Sequence, residues 1–225
     1  MNPPLRVSDV SKRFGYRWVL RNVSMEVQPG EAVLLVGGNG AGKTTLLRVM
    51  AGLLKPNRGR IERTGAVGMV AHHTMMYDAL TARENLAFFA RLHGLPKDGR
   101  EDRLLELLGL AEFAGERIVT FSRGMLQRLA IARSLMHEPD VMLFDEPLTG
   151  LDDAASHIVL NAIAELEARR AALVIATHQL VELVGVAARV GFMVQGELVA
   201  LEPIAGRDAG GVVSRYRELV AANGG

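Results

Sequence analysis

The run Gly37-Gly38-Asn39-Gly40-Ala41-Gly42-Lys43-Thr44-Thr45 restricts the fold more than any other stretch of this chain. It stands between two segments of opposite character. Before it, Ala32-Val33-Leu34-Leu35-Val36 is a short apolar stretch that reads as a buried strand. After it, residues 45–51 form a strong helix-favouring segment that stops near Gly52. Strand, glycine-rich turn and helix in that order predict an α/β core with a tight, amide-lined turn at its centre.

The pattern G-x-x-x-x-G-K-T has a specific chemistry in that setting. Glycines let backbone N–H groups converge into a concave nest that holds phosphate oxygens. The helix that follows points the positive end of its dipole at the same place. Lys43 would reach the β- and γ-phosphates, and the Thr44 hydroxyl would enter a Mg²⁺ shell. The amides of Gly37, Asn39, Gly40, Ala41, Gly42 and Thr45 complete the predicted cradle. The expected ligand is a nucleoside triphosphate.

Composition narrows the alternatives. With 225 residues, 49% hydrophobic and 23% charged, the chain can bury a sizeable core as one large domain or one domain with an inserted lobe. A net charge of +1 with no basic block gives no electrostatic sign of nucleic acid. The absence of cysteine removes disulfides, thiolate metal sites and thiol nucleophiles. No apolar run approaches the roughly 18 residues of a membrane helix, and residues 1–6 lack the layout of a signal peptide. The chain is expected to be soluble, so work at a membrane would need a second polypeptide to span it.

Residues 5–13 and 19–27 alternate apolar and polar side chains, as half-exposed antiparallel strands do. Pro29-Gly30 and residues 56–59 mark turns, residues 60–63 an edge strand, and residues 67–70 a short core strand. From about residue 81 to Pro139 the texture turns helical. Thr81-Ala82-Arg83-Glu84 is a capping box, a second helix ends at Gly109, and a third starts near Ser122. The core then resumes with strands at 141–144 and 173–176, helices at 153–170 and 179–187, and a hairpin around Gln195-Gly196. A loop with Gly206, Gly210 and Gly211 leads to a short C-terminal helix that carries Val213, Tyr216 and Val220 on one face.

Val141-Met142-Leu143-Phe144-Asp145-Glu146 is four apolar residues followed by two carboxylates. A buried parallel strand ending in acid delivers that acid to the carboxyl edge of the sheet, beside the phosphate loop. Asp145 is expected to hold the Mg²⁺ shell through water, and Glu146 to polarise the water that attacks the γ-phosphate.

Phe121-Ser122-Arg123-Gly124-Met125, followed by Gln127-Arg128, resembles the Leu-Ser-Gly-Gly-Gln signature of ATP-binding-cassette ATPases. The resemblance covers nearly the whole chain. It implies an α/β fold: a RecA-like phosphate-loop core with an antiparallel β subdomain (about 1–74 and 140–225) and an inserted helical subdomain (about 75–139). It further implies ATP and Mg²⁺ as ligands and a homodimer arranged head to tail, in which Ser122 and Gly124 contact the γ-phosphate held by the other subunit. Phe14 matches the aromatic that stacks on adenine, with Tyr16 as a nearby competitor. Gly150-Leu151-Asp152 matches the loop that couples the two sites, and His178 the histidine that senses γ-phosphate. Arg123 and Met125 depart from the signature. So does His72, which stands where the family has a glutamine; metal binding by His72 and His73 is the alternative there.

One cassette without a spanning segment implies a peripheral ATPase on the cytoplasmic side of a membrane, serving a transmembrane permease supplied in trans. The apolar residues Met75, Met76, Tyr77 and Leu80 would receive that partner, or simply pack their own loop. The run from His72 to Leu95 looks like the haem-exporter ATPases of cytochrome c biogenesis, while Ser122-Arg123-Gly124-Met125 is shared with drug- and lipid-exporting cassettes. A soluble cassette acting on ribosomes or DNA, and a kinase or GTPase with the same loop, are the readings from other classes. No nucleic-acid partner is expected.

Overall fold

A computed structural model describes residues 3–71 and 75–223 of the chain. The first elements are a long hairpin, β1 (Leu5–Phe14) and β2 (Arg17–Val27), whose alternation turns Leu5, Val7, Leu20 and Val23 inward. Strand β3 (Ala32–Gly37) leads into helix α1 (Lys43–Met50). Strand β4 (Arg58–Arg63) returns to β1, giving a three-stranded antiparallel sheet in the order β2-β1-β4. Strand β5 (Val67–Val70) is followed by three helices, α2 (Ala82–Leu92), α3 (Arg100–Leu107) and α4 (Arg123–Leu135). The chain re-enters the sheet through β6 (Val141–Asp145), α5 (Asp153–Ala168) and β7 (Ala172–Ala176). A short helix α6 (Leu180–Leu183), the hairpin β8 (Arg189–Val194) and β9 (Glu197–Pro203), and helix α7 (Ala209–Ala222) follow.

The six-stranded sheet runs β5-β6-β7-β3-β8-β9, parallel except for β9, which pairs antiparallel to β8. Its central strands are apolar throughout because both faces are covered. Val33 and Leu35 of β3, Val141 and Leu143 of β6, and Val174 of β7 meet α1 and the three-stranded sheet. Leu34 and Val36, Met142 and Phe144, and Leu173 and Ile175 point the other way, into a core shared with α2, α4 and α5. Each fully buried Leu or Phe contributes about 1.5–3 kcal/mol. This is the expected α/β architecture of a phosphate-loop ATPase, with the antiparallel sheet on one face and three helices inserted between β5 and β6.

Three expectations change in detail. Residues 67–70 read as a core strand, yet β5 lies at the sheet edge. Side chains at the end of α4 cover that edge: Ser134 Oγ donates to the Met69 carbonyl at 2.9 Å, and His137 Nε2 lies 3.1 Å from the Val67 carbonyl. The helix expected over 179–187 shrinks to four residues and passes into a 3₁₀ turn at Val184–Val186, where Gly185 and three valines nearby favour helix poorly. Gly210 and Gly211, read as loop, lie in the first turn of α7, because Asp208 caps it by accepting from the Gly211 amide at 2.8 Å.

Candidate active site

The loop between β3 and α1 is closed by its own backbone. The Ala41 amide donates to the Gly38 carbonyl at 3.1 Å, and the Leu46 amide to the Gly42 carbonyl at 2.8 Å. Gly42 caps α1 with φ 102°, and a Cβ there would lie 2.8 Å from the Val19 carbonyl oxygen. Only glycine meets both demands. Lys43 Nζ folds back on the loop, donating to the Gly37 carbonyl at 2.6 Å and the Gly38 carbonyl at 3.3 Å. Burial lowers the pKa of this ammonium, while the carboxylates of Glu146 and Asp145 act in the opposite direction.

Three adjacent strands bring the acidic end of β6 to the same edge. The Thr177 amide donates to the Leu35 carbonyl at 3.3 Å, and the Glu146 amide to the Ala176 carbonyl at 2.9 Å. Thr44 Oγ1 donates to Asp145 Oδ1 at 3.1 Å, joining positions 101 residues apart. Asp145 is 5% exposed, and burial raises its carboxyl above the ordinary 3.8, the Thr44 hydrogen bond opposing. Next to it, Glu146 takes φ 56°, a left-handed conformation that costs a non-glycine residue about 1–3 kcal/mol and recurs at functional sites. That turn aims its carboxylate at His178, whose Nδ1 lies 2.9 Å from Glu146 Oε2 and whose amide donates to the same oxygen at 3.3 Å. Lys43, Thr44, Asp145, Glu146 and His178 therefore form one cluster.

Ser122, Gly124, Asp152 and Phe14 take no part in the hydrogen bonds of that cluster. Ser122 caps α4, its Oγ accepting from the Met125 amide at 3.2 Å, as the sequence suggests. Gly124 packs on the turn before α5: a Cβ there would meet Leu151 at 3.3 Å. Asp152 caps α5 by accepting from the Ala155 amide at 2.8 Å. Phe14 is half exposed at the tip of the β1–β2 hairpin, with Lys12 Nζ 5.3 Å from its ring centre. Tyr16, its competitor, borders a cleft of about 780 Å³ between that hairpin and the phosphate loop. Asn39, Gly40 and Ala41 line the same cleft, and Thr45 lies in the first turn of α1. His72 and His73 lie outside the described residues.

Two other polar residues hold nearby backbone in place without announcing themselves in sequence. Gln127 is buried in α4 and donates to the Pro147 carbonyl at 3.2 Å, supporting the turn just past Glu146. Asn85 is fully buried and accepts from the Tyr77 amide at 2.9 Å while donating to the carbonyls of Tyr77 and Thr81 at 3.1 and 3.0 Å. It ties the segment before α2 to the helix itself. Its position on the inner face of a predicted helix was the one available signal.

Known proteins resemble this chain along most of its length. Residues 20–149, more than half of the chain, match the family described as ABC transporter. An uncharacterized ABC transporter ATP-binding protein of Bacillus subtilis, YdbJ, is 36% identical over 219 residues, covering 92% of this chain and 71% of that protein. The ABC transporter ATP-binding protein NatA of the same organism is 35% identical over 215 residues, 87% of each chain. A solved ATP-binding subunit of an ABC transporter superposes with a TM-score of 0.87 at 28% identity, covering 96% of this chain and 99% of that one. A dimeric ATP-binding cassette bound to ADP and Pi shares the fold, with a TM-score of 0.80 at 24% identity over 90% of this chain and 99% of its own. Since the matched span runs from β2 through the carboxylates that end β6, the chain belongs to the ABC transporter family as an ATP-binding subunit, an ATPase.

Proposed function

We propose that this ATPase closes head to tail with a second copy of itself on binding ATP and so drives a separate transmembrane exporter. The observation that carries the reading is the cluster in which Thr44 meets Asp145 and Glu146 meets His178 beside the phosphate loop. Lys43 gives up the Gly37 and Gly38 carbonyls for phosphate oxygens, and the amides from Asn39 to Thr45 take the remainder. Two hard oxygen donors, Thr44 Oγ1 and Asp145 Oδ1, suit Mg²⁺, and the raised carboxyl of Asp145 marks a buried acid that a cation would stabilise in its charged form. Bound there, Mg²⁺ would neutralise charge on the β- and γ-phosphates. Glu146 Oε2 takes the proton of the attacking water, and His178 fixes that carboxylate and then faces the γ-phosphate. Phe14 stacks on adenine. Ser122 and Gly124 close over the nucleotide of the other copy, and Asp152 links the two sites.

In this reading residues 1–74 and 140–225 hold the nucleotide, and residues 75–139 form the lobe that carries Ser122 and Gly124. That lobe also presents a face for the membrane partner. Met75 and Leu92 are 69% and 68% exposed there, and Tyr77 packs edge-on against Phe88 with ring centres 4.7 Å apart. Among the described residues no helix is long and apolar enough to cross a membrane; the peripheral place on the cytoplasmic face is what membership of the ABC transporter family implies.

For the cargo, the relatives support a drug- or antibiotic-class molecule. The bacitracin transport ATP-binding protein of Bacillus licheniformis is 33% identical over 212 residues, covering 88% of this chain and 69% of that protein. The haem-exporter resemblance rested on residues 72–95 and finds no support among these relatives, so the exporter alternative takes its place.

The test uses tagged Glu146→Gln protein, trapped with ATP-Mg²⁺ and captured from solubilised host membranes. ATP binding should persist while kcat falls by about two to four orders of magnitude. A multispan protein without bound haem is expected to co-purify. Ribosomal or DNA-bound partners alone would overturn the exporter reading, and turnover at the parent rate would remove Glu146 as base.

A further inference from the structure

The C-terminal helix reaches back to the phosphate loop. Val212 of α7 is fully buried, and Val213, Tyr216 and Leu219 pack against the same core as α5 and β7. Glu202 of β9 fixes the helix from the side, pairing with Arg215 at 2.8 Å and Arg207 at 2.7 Å. From that seat the Tyr216 hydroxyl accepts a hydrogen bond from the Gly38 amide at 2.7 Å, across 178 positions of sequence. The Gly38 carbonyl, on the other side of the same residue, accepts from the Ala41 amide and from Lys43 Nζ. A methyl group on residue 38 would lie 3.2 Å from the tyrosine oxygen, close enough to push it back by a few tenths of an ångström.

These ties differ in what nucleotide binding does to them. Lys43 must leave the loop carbonyls to reach phosphate, and that removes one anchor from Gly38. The Tyr216 hydroxyl, bonded to the amide, faces no such demand. We propose that Tyr216 is a positioning residue through which α7 holds the start of the phosphate loop in its nucleotide-accepting shape. ATP affinity is then set in part by how firmly α7 is seated, and a contact that lifts α7 lowers it. The inference rests on the nucleotide-binding reading of the loop.

Tyr216→Phe in the full chain removes the oxygen and keeps the ring. Equilibrium titration with a fluorescent ATP analogue and Mg²⁺ should show affinity weakened about two- to ten-fold, the range of one net hydrogen bond. KM for ATP should rise by the same factor, with the melting temperature of nucleotide-free protein close to that of the parent. A merely structural role would lower the melting temperature and leave ATP affinity alone. Glu202→Gln, which loosens the seat of α7 and leaves the hydroxyl in place, should weaken ATP binding in the same direction. Combined with Tyr216→Phe it should add nothing further to that loss, because both act through one contact. Unchanged ATP affinity in Tyr216→Phe overturns the proposal; should that variant not fold, unchanged affinity in Glu202→Gln does so. A parent protein that binds no ATP would instead bring down the nucleotide reading, and this inference with it.

Discussion

The carboxyl edge of the parallel sheet and the outer end of α4 both present backbone amides, but they are held in different ways. At the phosphate loop, glycines bend the chain into a nest, and the surrounding groups bond to one another: Lys43 to the loop, Thr44 to Asp145, Glu146 to His178. At α4 a single side chain, Ser122, caps a helix end that packs on the turn before α5. Among the described residues, none of the hydrogen bonds of the first group involves Ser122 or Gly124. The first region is tied together within one chain. In the function proposed above, the second meets a nucleotide held by another copy, which would give two composite sites per dimer.

Complementation would break this comparison most sharply. Lys43→Ala disables the nest and Gly124→Asp disables the helix end, and each alone should lower ATP hydrolysis by at least about two orders of magnitude. Mixed together, the two inactive proteins should recover measurable turnover, because one heterodimeric site keeps an intact loop and an intact signature. A mixture as inactive as its components would rule out the head-to-tail arrangement.

A smaller effect separates the two regions by stability. Asn85 supports the lobe that carries the helix end, so Asn85→Leu strands the backbone groups of Tyr77. Denaturant unfolding should show a loss of about 1–3 kcal/mol, with ATP affinity unaltered. A neutral result would mean that water replaces the amide.

The smallest effect has the opposite sign. Burial raises the Asp145 carboxyl above 3.8, so the folded state holds its proton more tightly than the unfolded chain does. Stability therefore falls as pH rises from about 3.8 through the raised pKa of the folded carboxyl. Above that window Asp145→Asn should make the nucleotide-free protein more stable by about 0.5–2 kcal/mol, an advantage that disappears at acid pH where Asp145 is itself neutral. Thermal melts across pH measure it, and an advantage that persists at low pH would place its origin in packing.

Much of this was legible in the residues. The apolar runs of β3 and β6 read as buried strands because a strand covered on both faces has no polar alternation to hide it. Thr81 and Glu84 announced their capping box, which forms as expected, since capping is a contact within one turn. What escaped were single polar residues with distant partners. Gln127 and Tyr216 sit on helices whose pattern explains them as ordinary face residues, and only the folded chain shows the carbonyl or amide each one meets. The edge position of β5 escaped for a related reason: its cover comes from α4, on the far side of the helical insertion.

By itself, then, the sequence determined the strand–loop–helix unit, the acidic end of β6 and the caps of α2 and α4, all local consequences of glycine freedom, hydrophobic period and side-chain reach. Tertiary structure alone decided which ends of strands became neighbours, why Glu146 is turned toward His178, and that a C-terminal tyrosine touches the phosphate loop. Those outcomes depend on strand order and helix seating, which follow from burying two faces of one sheet at once and leave no trace in any single stretch of residues.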